Sequence, residues 1–570
     1  MAEPSNLPAP GIPRHVFLLY GLSGFISLGY QVAWFRILVD WFGSTSLTFA
    51  LVVSGFIGGL GAGALWSQTI TCWLRKRTGI HDGLRLYGLV EIGVASAALL
   101  THVSGYIPSG VVGSFPFRDS DGIWMQSLPY GFVQIVTALV CVFVPCFLMG
   151  VTFPLLCDTL RRSDASGDVH PVPSSLYAGN TLGACAGVLT CQFVLIPWCG
   201  HGAVFWLMQG LNLLLGSFFL LRHGALPATP PTPSRSTALR GRTGSTWIAA
   251  AVLSGLLAGA LEGDLFRRLG FILVLSPGAT MSFVSFWVVL AIFLASTIVT
   301  RSPRLLLGHI KIAYVLAMLW YVALWHGADQ LTYLLGDPPV PGATHHFPVN
   351  LWQLFAYCGI YVLPVYLPVS LLLPFVCDRM QSAGHHLGVV YGVNTTAFCV
   401  GLMSFALIAP AVNIFYSLKL FQVFMVLVAA GVLALPAAGG IRAWLPAALL
   451  TLTVIAVGAT PRTFDPDFFT EDMWPHELQP TEMRGNSAHT TYVLRLPDRN
   501  HRLFFNRLSM SGTSLESQEY MRLMAHVPLL MHPEPQRALL ICFGVGNTAS
   551  AIAAHETIRQ IDAVDLNADV

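Results

Sequence analysis

Twelve stretches of about 18 or more predominantly apolar residues divide this chain, the length that spans a bilayer as a helix. They lie at roughly 16–39, 47–66, 86–105, 131–156, 176–198, 203–221, 246–273, 281–300, 306–326, 351–376, 388–409 and 415–437. Lipid offers no partners for backbone N–H and C=O groups, so such runs must satisfy themselves internally, and the α-helix is the solution. A thirteenth run, AWLPAALLTLTVIAVGA (443–459), follows a short GGIR break. Only 10% of the 570 residues are charged, against about 25% in soluble domains. The first apolar run is too long for a cleaved secretory signal and lacks a small-residue cleavage site, so it reads as a spanning helix.

Three blocks recur in the same order. LSGFISLGYQVAWFR (22–36) answers LSGLLAGALEGDLFR (253–267), FPLLCD (153–158) answers LPFVCD (373–378), and YAGNTLGACAG (177–187) answers YGVNTTAFCVG (391–401). Each half therefore reads as one copy of a six-helix unit, and an even helix count gives both copies the same orientation, as in parallel-repeat transporters. The expected division is 1–225 for the first repeat, 226–245 for a proline-rich cytoplasmic linker and 246–440 for the second repeat. Residues 441–460 follow as a thirteenth helix, and 461–570 as a polar C-terminal domain.

Basic residues set orientation. With thirteen spans, sixteen lie in segments on one side of the helices, and only Arg118 and Lys419 in loops on the other. The expectation is an integral, multi-pass protein of a bacterial inner (plasma) membrane with a cytoplasmic N-terminus. Its first partner is the lipid bilayer; a small-molecule amine or other solute is a second. A net charge of +2 gives no sign of a nucleic-acid partner. The eleven cysteines are scattered without CxxC or Cys/His ligand spacing, so no metal site is expected. His345 and His346, near His326, read as a solvated loop.

Polar groups inside the apolar runs matter because each costs free energy at membrane depth and must pair, face a cavity or reach the interface. Gln31 and Arg36 in the first run correspond to Glu262 and Arg267 in the seventh, where Asp264 and Arg268 add charge; Glu91 stands inside the third. Two readings stay open. They form a polar cleft between the repeats, or the arginines lie near helix ends with Glu262 and Asp264 neutralising them. Asn180–Thr181 and Asn394–Thr395 read as helix–helix contacts, where small neighbours allow close approach.

The chain closes on a different pattern. ALLICF (538–543) reads as a strand, followed by a Gly544-Val545-Gly546-Asn547 turn, a helix-like ASAIAAHETI and a second strand, IDAVDLN. Strand, glycine turn, helix, strand and acid form the opening βαβ of a Rossmann-like fold. Its glycines admit a close ligand, and the helix N-terminus offers unpaired N–H groups. Asp565 stands 21 residues after Gly544, the spacing that places a carboxylate at ribose hydroxyls. Candidate cofactor-binding residues are Gly544, Gly546, Asn547 and Asp565.

The residues ahead of the turn, YMRLMAHVPLLMHPEPQRALLICFGVGN (520–547), resemble the spermidine synthase family, with its Tyr, its helix ending in AHVPL and its HP-P-R before the glycine strand. TTYVLRLPDRNHRLFFNRLSMSGT (490–513) looks like that family's small N-terminal β-region, and its alternation fits paired strands independently. LSGFISLGYQVAWFRILVDWFGST (22–45) and LYAGNTLGACAG (176–187) resemble the membrane-integrated members, which join a major-facilitator-like helical region to a spermidine synthase-like domain. The resemblance implies an aminopropyl- or methyl-group transferase using S-adenosylmethionine or decarboxylated S-adenosylmethionine. Two departures weigh against that activity. The family's turn is of the Gly-Gly-Gly-Asp-Gly type, and its acid is missing from Phe543-Gly544-Val545-Gly546-Asn547 here; Met521-Arg522 follow the family's Tyr, so a cationic polyamine would lose an acceptor and meet a positive charge. The family's catalytic aspartate falls on a later strand, so the domain is expected to be incomplete, the chain to be a fragment, and these 570 residues to be inactive as a transferase. The rival readings are a transporter or membrane binding protein with a cleft between the halves, and a structural subunit keeping a nucleoside-binding relic.

Overall fold

A computed structural model describes residues 14–42, 46–104, 116–118, 124–126, 128–160, 172–222, 242–273, 276–302, 305–326, 351–382, 387–408, 414–435, 444–459, 480–485, 490–495, 499–505 and 508–565. The apolar runs are helices, as expected. In the first half these are α1 (Arg14–Phe42), α2 (Ser46–Thr78), α3 (Gly83–Ser104), α4 (Leu128–Ala138 and Val144–Leu160, joined by a π-helical segment at Leu139–Phe143), α5 (Val172–Thr190) and α6 (Ile196–Leu221). The second half holds α7 (Arg242–Leu273), α8 (Pro277–Arg301), α9 (Leu307–His326), α10 (Leu351–Ser370), α11 (Leu372–Ser382), α12 (Leu387–Ile408) and α13 (Ile414–Ala434), and α14 (Trp444–Ala459) follows. Among the described residues ten helices are long and apolar enough to cross a membrane. The protein is an integral, multi-pass membrane protein.

Two differences from the sequence reading concern boundaries. The runs at 176–198 and 203–221 are nearly continuous: a second π segment (Cys191–Leu195) leads from α5 into α6, and the break falls at Gly200, whose φ of 79° no helix tolerates. Second, a short antiparallel pair, β1 (Pro116–Arg118) with β2 (Trp124–Gln126), stands between α3 and α4 and was not expected. Three-residue strands are too short for periodicity to reveal.

The helices build two apolar cores, the first drawing in Phe266, Met281, Phe398, Leu402 and Ala406 from the second half. Within the halves α1 packs along α5 and α7 along α12; between them α2 meets α12 and α5 meets α8. The two within-half contacts are built alike. Asn180 Nδ2 donates to the Tyr20 carbonyl at 3.1 Å, and Asn394 Nδ2 donates to the Ala251 carbonyl at 2.8 Å. A Cβ on Gly24 would run into the Asn180 carbonyl oxygen, and one on Gly255 into that of Asn394. Only glycine permits backbones this close.

Beyond the helices, β3 (Pro480–Gly485), β4 (Thr490–Arg495), β5 (His501–Phe505) and β6 (Leu508–Gly512) form a four-stranded antiparallel sheet in sequence order. It begins ten residues earlier than the expected β-region, at 480 rather than 490. Tyr492 and Phe504 stack on its inner face at 5.1 Å. Then come α15 (Leu515–Met531), β7 (Arg537–Ile541), α16 (Asn547–Ala553) and β8 (Gln560–Val564), with β7 and β8 parallel. The helix after the glycine turn is shorter than ASAIAAHETI suggests: it ends at Ala553, and β8 starts at Gln560. Ala525, Leu540, Ala551 and Ile552 form the core here, while Leu539, Ile541 and Val564 are exposed.

Candidate functional site

The C-terminal site is a turn held open by its own hydrogen bonds. The β7–β8 ladder continues one step past β7, where Cys542 N–H donates to the Val564 carbonyl at 2.7 Å. The chain then reverses through three left-handed residues, Cys542 (φ 70°), Gly544 (φ 60°) and Gly546 (φ 79°). Glycine adopts that conformation freely. For Cys542 it is a costly one, of the kind that persists only where the surroundings enforce it.

Asp565, at the end of β8, is brought to the turn as the spacing predicts. Its Oδ2 accepts the Phe543 N–H at 2.7 Å. Val545 N–H donates to Ser511 Oγ at 3.1 Å, and Gly546 N–H donates to the Phe543 carbonyl at 3.1 Å. Asn547 turns its amide inward, donating to the Gly512 carbonyl at 2.9 Å and lying 3.4 Å from Met521 Sδ. Thr548 Oγ1 donates to the Met521 carbonyl at 3.0 Å. Thus β6, α15 and the glycine turn are laced together at one place. Ser511 and Met521 were missed by the sequence reading, since neither stands at a motif spacing; only SMSGT, a small polar stretch closing a strand, hints at Ser511. Nearby, His526 Nδ1 and His555 Nε2 meet at 2.9 Å, tying α15 to the segment after α16.

A second set of polar groups lies inside the helices. Glu91 is buried, with Oε1 accepting from Ser23 Oγ at 2.9 Å, and Asn212 Nδ2 donates to its backbone carbonyl at 2.7 Å. Asp264 is fully buried and compensated: Arg268 Nε donates to it at 2.7 Å and the Tyr321 hydroxyl donates to its other oxygen. The expectation that both acids of α7 neutralise arginines therefore holds for Asp264 and fails for Glu262. Glu262 stands two residues away on the helix, so its side chain leaves on another face. Among the described residues it receives only the Tyr366 hydroxyl, at 3.4 Å. Gln31, its counterpart in the first repeated block, is buried and makes no hydrogen bond among the described residues. His345 and His346 lie outside the described residues.

No protein-family model matches the chain. Over 202 residues it is 28% identical to the polyamine aminopropyltransferase of two Mycobacterium tuberculosis strains, CDC 1551 and H37Rv. The same figures hold for the polyamine aminopropyltransferase of Mycobacterium bovis. Each match takes in 34% of this chain and 34% of the relative, so the chain spans about a third of the length of the curated relatives it matches. Among solved structures, the inward-open form of the xylose transporter XylE from E. coli covers 76% of this chain and 99% of its own, at 14% identity and a TM-score of 0.42. A partially occluded inward-open form of the same transporter covers 75% and 98%, at 11% identity and a TM-score of 0.44.

Proposed function

We propose that this is a membrane-embedded, spermidine synthase-like protein. Its C-terminal segment is read as the cofactor end of an aminopropyl- or methyl-group transferase acting on an amine. The observation that carries this reading is the convergence of the left-handed Gly544–Gly546 turn and the Asp565 carboxylate at the ends of two parallel strands. The partial likeness to polyamine aminopropyltransferases points the same way. The residues fit a nucleoside cofactor in one respect: the carboxylate is fixed at the turn by a backbone N–H, the place from which it can accept ribose hydroxyls. Asp565 would hold the ribose of S-adenosylmethionine or its decarboxylated form, and Gly544 and Gly546 would let the backbone pass close beside it. Asn547 is assigned with them, through its part in locking the turn. A sulfonium cofactor bound there supplies an activated alkyl group. Titrating the chain in lipid nanodiscs with both forms tests this; preference for the decarboxylated form favours aminopropyl transfer, and no binding of either removes the reading.

A second reading is favoured by the buried polar side chains at matching places in the halves, Gln31 and Glu262. On this reading the helical region, taken as two six-helix copies (1–225 and 246–440) joined by the linker 226–245, binds or carries a small solute between them. The paired Asn180/Tyr20 and Asn394/Ala251 contacts support the duplication. Counterflow from liposomes loaded with candidate solutes tests it. Sidedness in a bacterial inner membrane, with the N-terminus cytoplasmic, rests on the basic-residue asymmetry. If residues 441–460 span, the segment 461–570 is exported; if they lie flat, it stays inside with the cofactor. Exposed Cys542, with the other cysteines replaced, reports the answer through labelling of intact cells by an impermeant maleimide.

A further inference from the structure

We propose that the helical region holds a site for a small organic ammonium ion, with Glu262 as its counter-charge and Gln31 and Tyr366 beside it. This rests on the solute-binding reading above and names the class of solute. The argument starts from an aromatic contact. Phe35 and Phe266 occupy matching places in the repeated segments, and their rings meet edge to face at 6.1 Å. Phe49 of α2 stacks flat on Phe266 at 3.8 Å. All three are buried, so the rings tie α1, α2 and α7 together at this level.

One helical turn back from Phe35 stands Gln31, and one turn back from Phe266 stands Glu262. Residues four apart share a helix face, so Gln31 lies on the face of α1 that carries Phe35, and Glu262 on the face of α7 that carries Phe266. Each is 4% exposed. A carboxylate can accept about four hydrogen bonds, yet Glu262 receives a single long one, and among the described residues it makes no ion pair. Asp264, two residues along, has both an arginine and a tyrosine. The same helix thus carries one acid that is structurally neutralised and one that is not.

An uncompensated carboxylate is expensive in a low-dielectric interior, and that cost selects the ligand. A neutral solute would leave that charge unanswered. An ammonium group neutralises Glu262 and donates to it, to the Tyr366 hydroxyl and to the Gln31 carbonyl. Buried aromatic faces add the attraction between a cation and a π-system.

The test uses the full chain in lipid nanodiscs, titrated calorimetrically with 1,4-diaminobutane, and with 1,4-butanediol as the uncharged isostere. The expected result is saturable binding of the diamine and none of the diol. Glu262→Gln should weaken diamine binding at least tenfold. Gln31→Glu, which puts a second carboxylate at the matching place, should strengthen it severalfold, and this variant keeps the test decisive if Glu262→Gln does not fold. Equal diamine affinity in all three proteins, or equal binding of diol and diamine, would overturn the proposal. Counterflow of a neutral or anionic solute that ignores both substitutions would also overturn it, while leaving the solute-binding reading in place. Absence of both calorimetric binding and counterflow for every solute offered would remove both.

Discussion

The helical region and the C-terminal segment face the same requirement, a partner for every buried polar group, and meet it differently. Among the helices, backbone groups satisfy themselves, and two asparagines are joined across helix contacts that glycine brings close: Asn180 to Tyr20, Asn394 to Ala251. In the C-terminal segment the backbone itself is unsatisfied at the glycine turn, and side chains are sent to it, Asp565 to Phe543 and Ser511 to Val545. The first arrangement makes a tight scaffold that leaves a few buried side chains, such as Glu262, lightly bonded. The second makes a turn whose geometry depends on side chains brought to it from other elements. A fault should therefore unfold the helical region and merely disable the turn.

The sharpest contrast is expected from Arg268→Ala. It leaves Asp264 buried without its cation and should cost about 3–5 kcal/mol, read as loss of folded protein in a thermal or denaturant titration. Gly255→Val should come next, at about 3 kcal/mol, because the added carbon cannot fit against the Asn394 carbonyl. Gly24→Val should match it if the two halves are built alike, and a large difference between the two would break that equivalence. In the C-terminal segment Ser511→Ala removes one hydrogen bond to the turn and should cost about 0.5–1.5 kcal/mol. Its signature is faster amide exchange at Val545, with the helical region's unfolding midpoint unchanged. Glu262→Gln should be smallest of all in stability, under about 1 kcal/mol, since no ion pair is broken; a loss as large as that of Arg268→Ala would mean the carboxylate is structural.

Much of this was legible in the residues. The apolar runs located the helices because bilayer thickness fixes a length that chance composition does not supply. The spacing between Gly544 and Asp565 placed an acid at the turn because strand, turn and helix lengths in a βαβ unit vary little. What escaped was three-dimensional. Ser511 reaches the turn from 34 residues upstream, and no periodicity connects a strand end to a later loop. Glu262 and Asp264 look equivalent as letters, yet two positions on a helix are about 200° apart, so one meets Arg268 and the other Tyr366. The β1–β2 pair was missed because three residues carry no pattern.

We propose that residues 538–565 form a nucleoside-cofactor site built on the Gly544–Gly546 turn and Asp565. Its most direct test is calorimetric titration of S-adenosylmethionine and its decarboxylated form into the wild-type protein and Asp565→Ala, both in nanodiscs. The account predicts saturable binding of one of the two by the wild type, weakened in the variant by about 1.5–3 kcal/mol, the scale of hydrogen bonds to a charged group. Binding of equal strength in both proteins would contradict the assignment of Asp565, and no binding of either cofactor by the wild type would contradict the site itself.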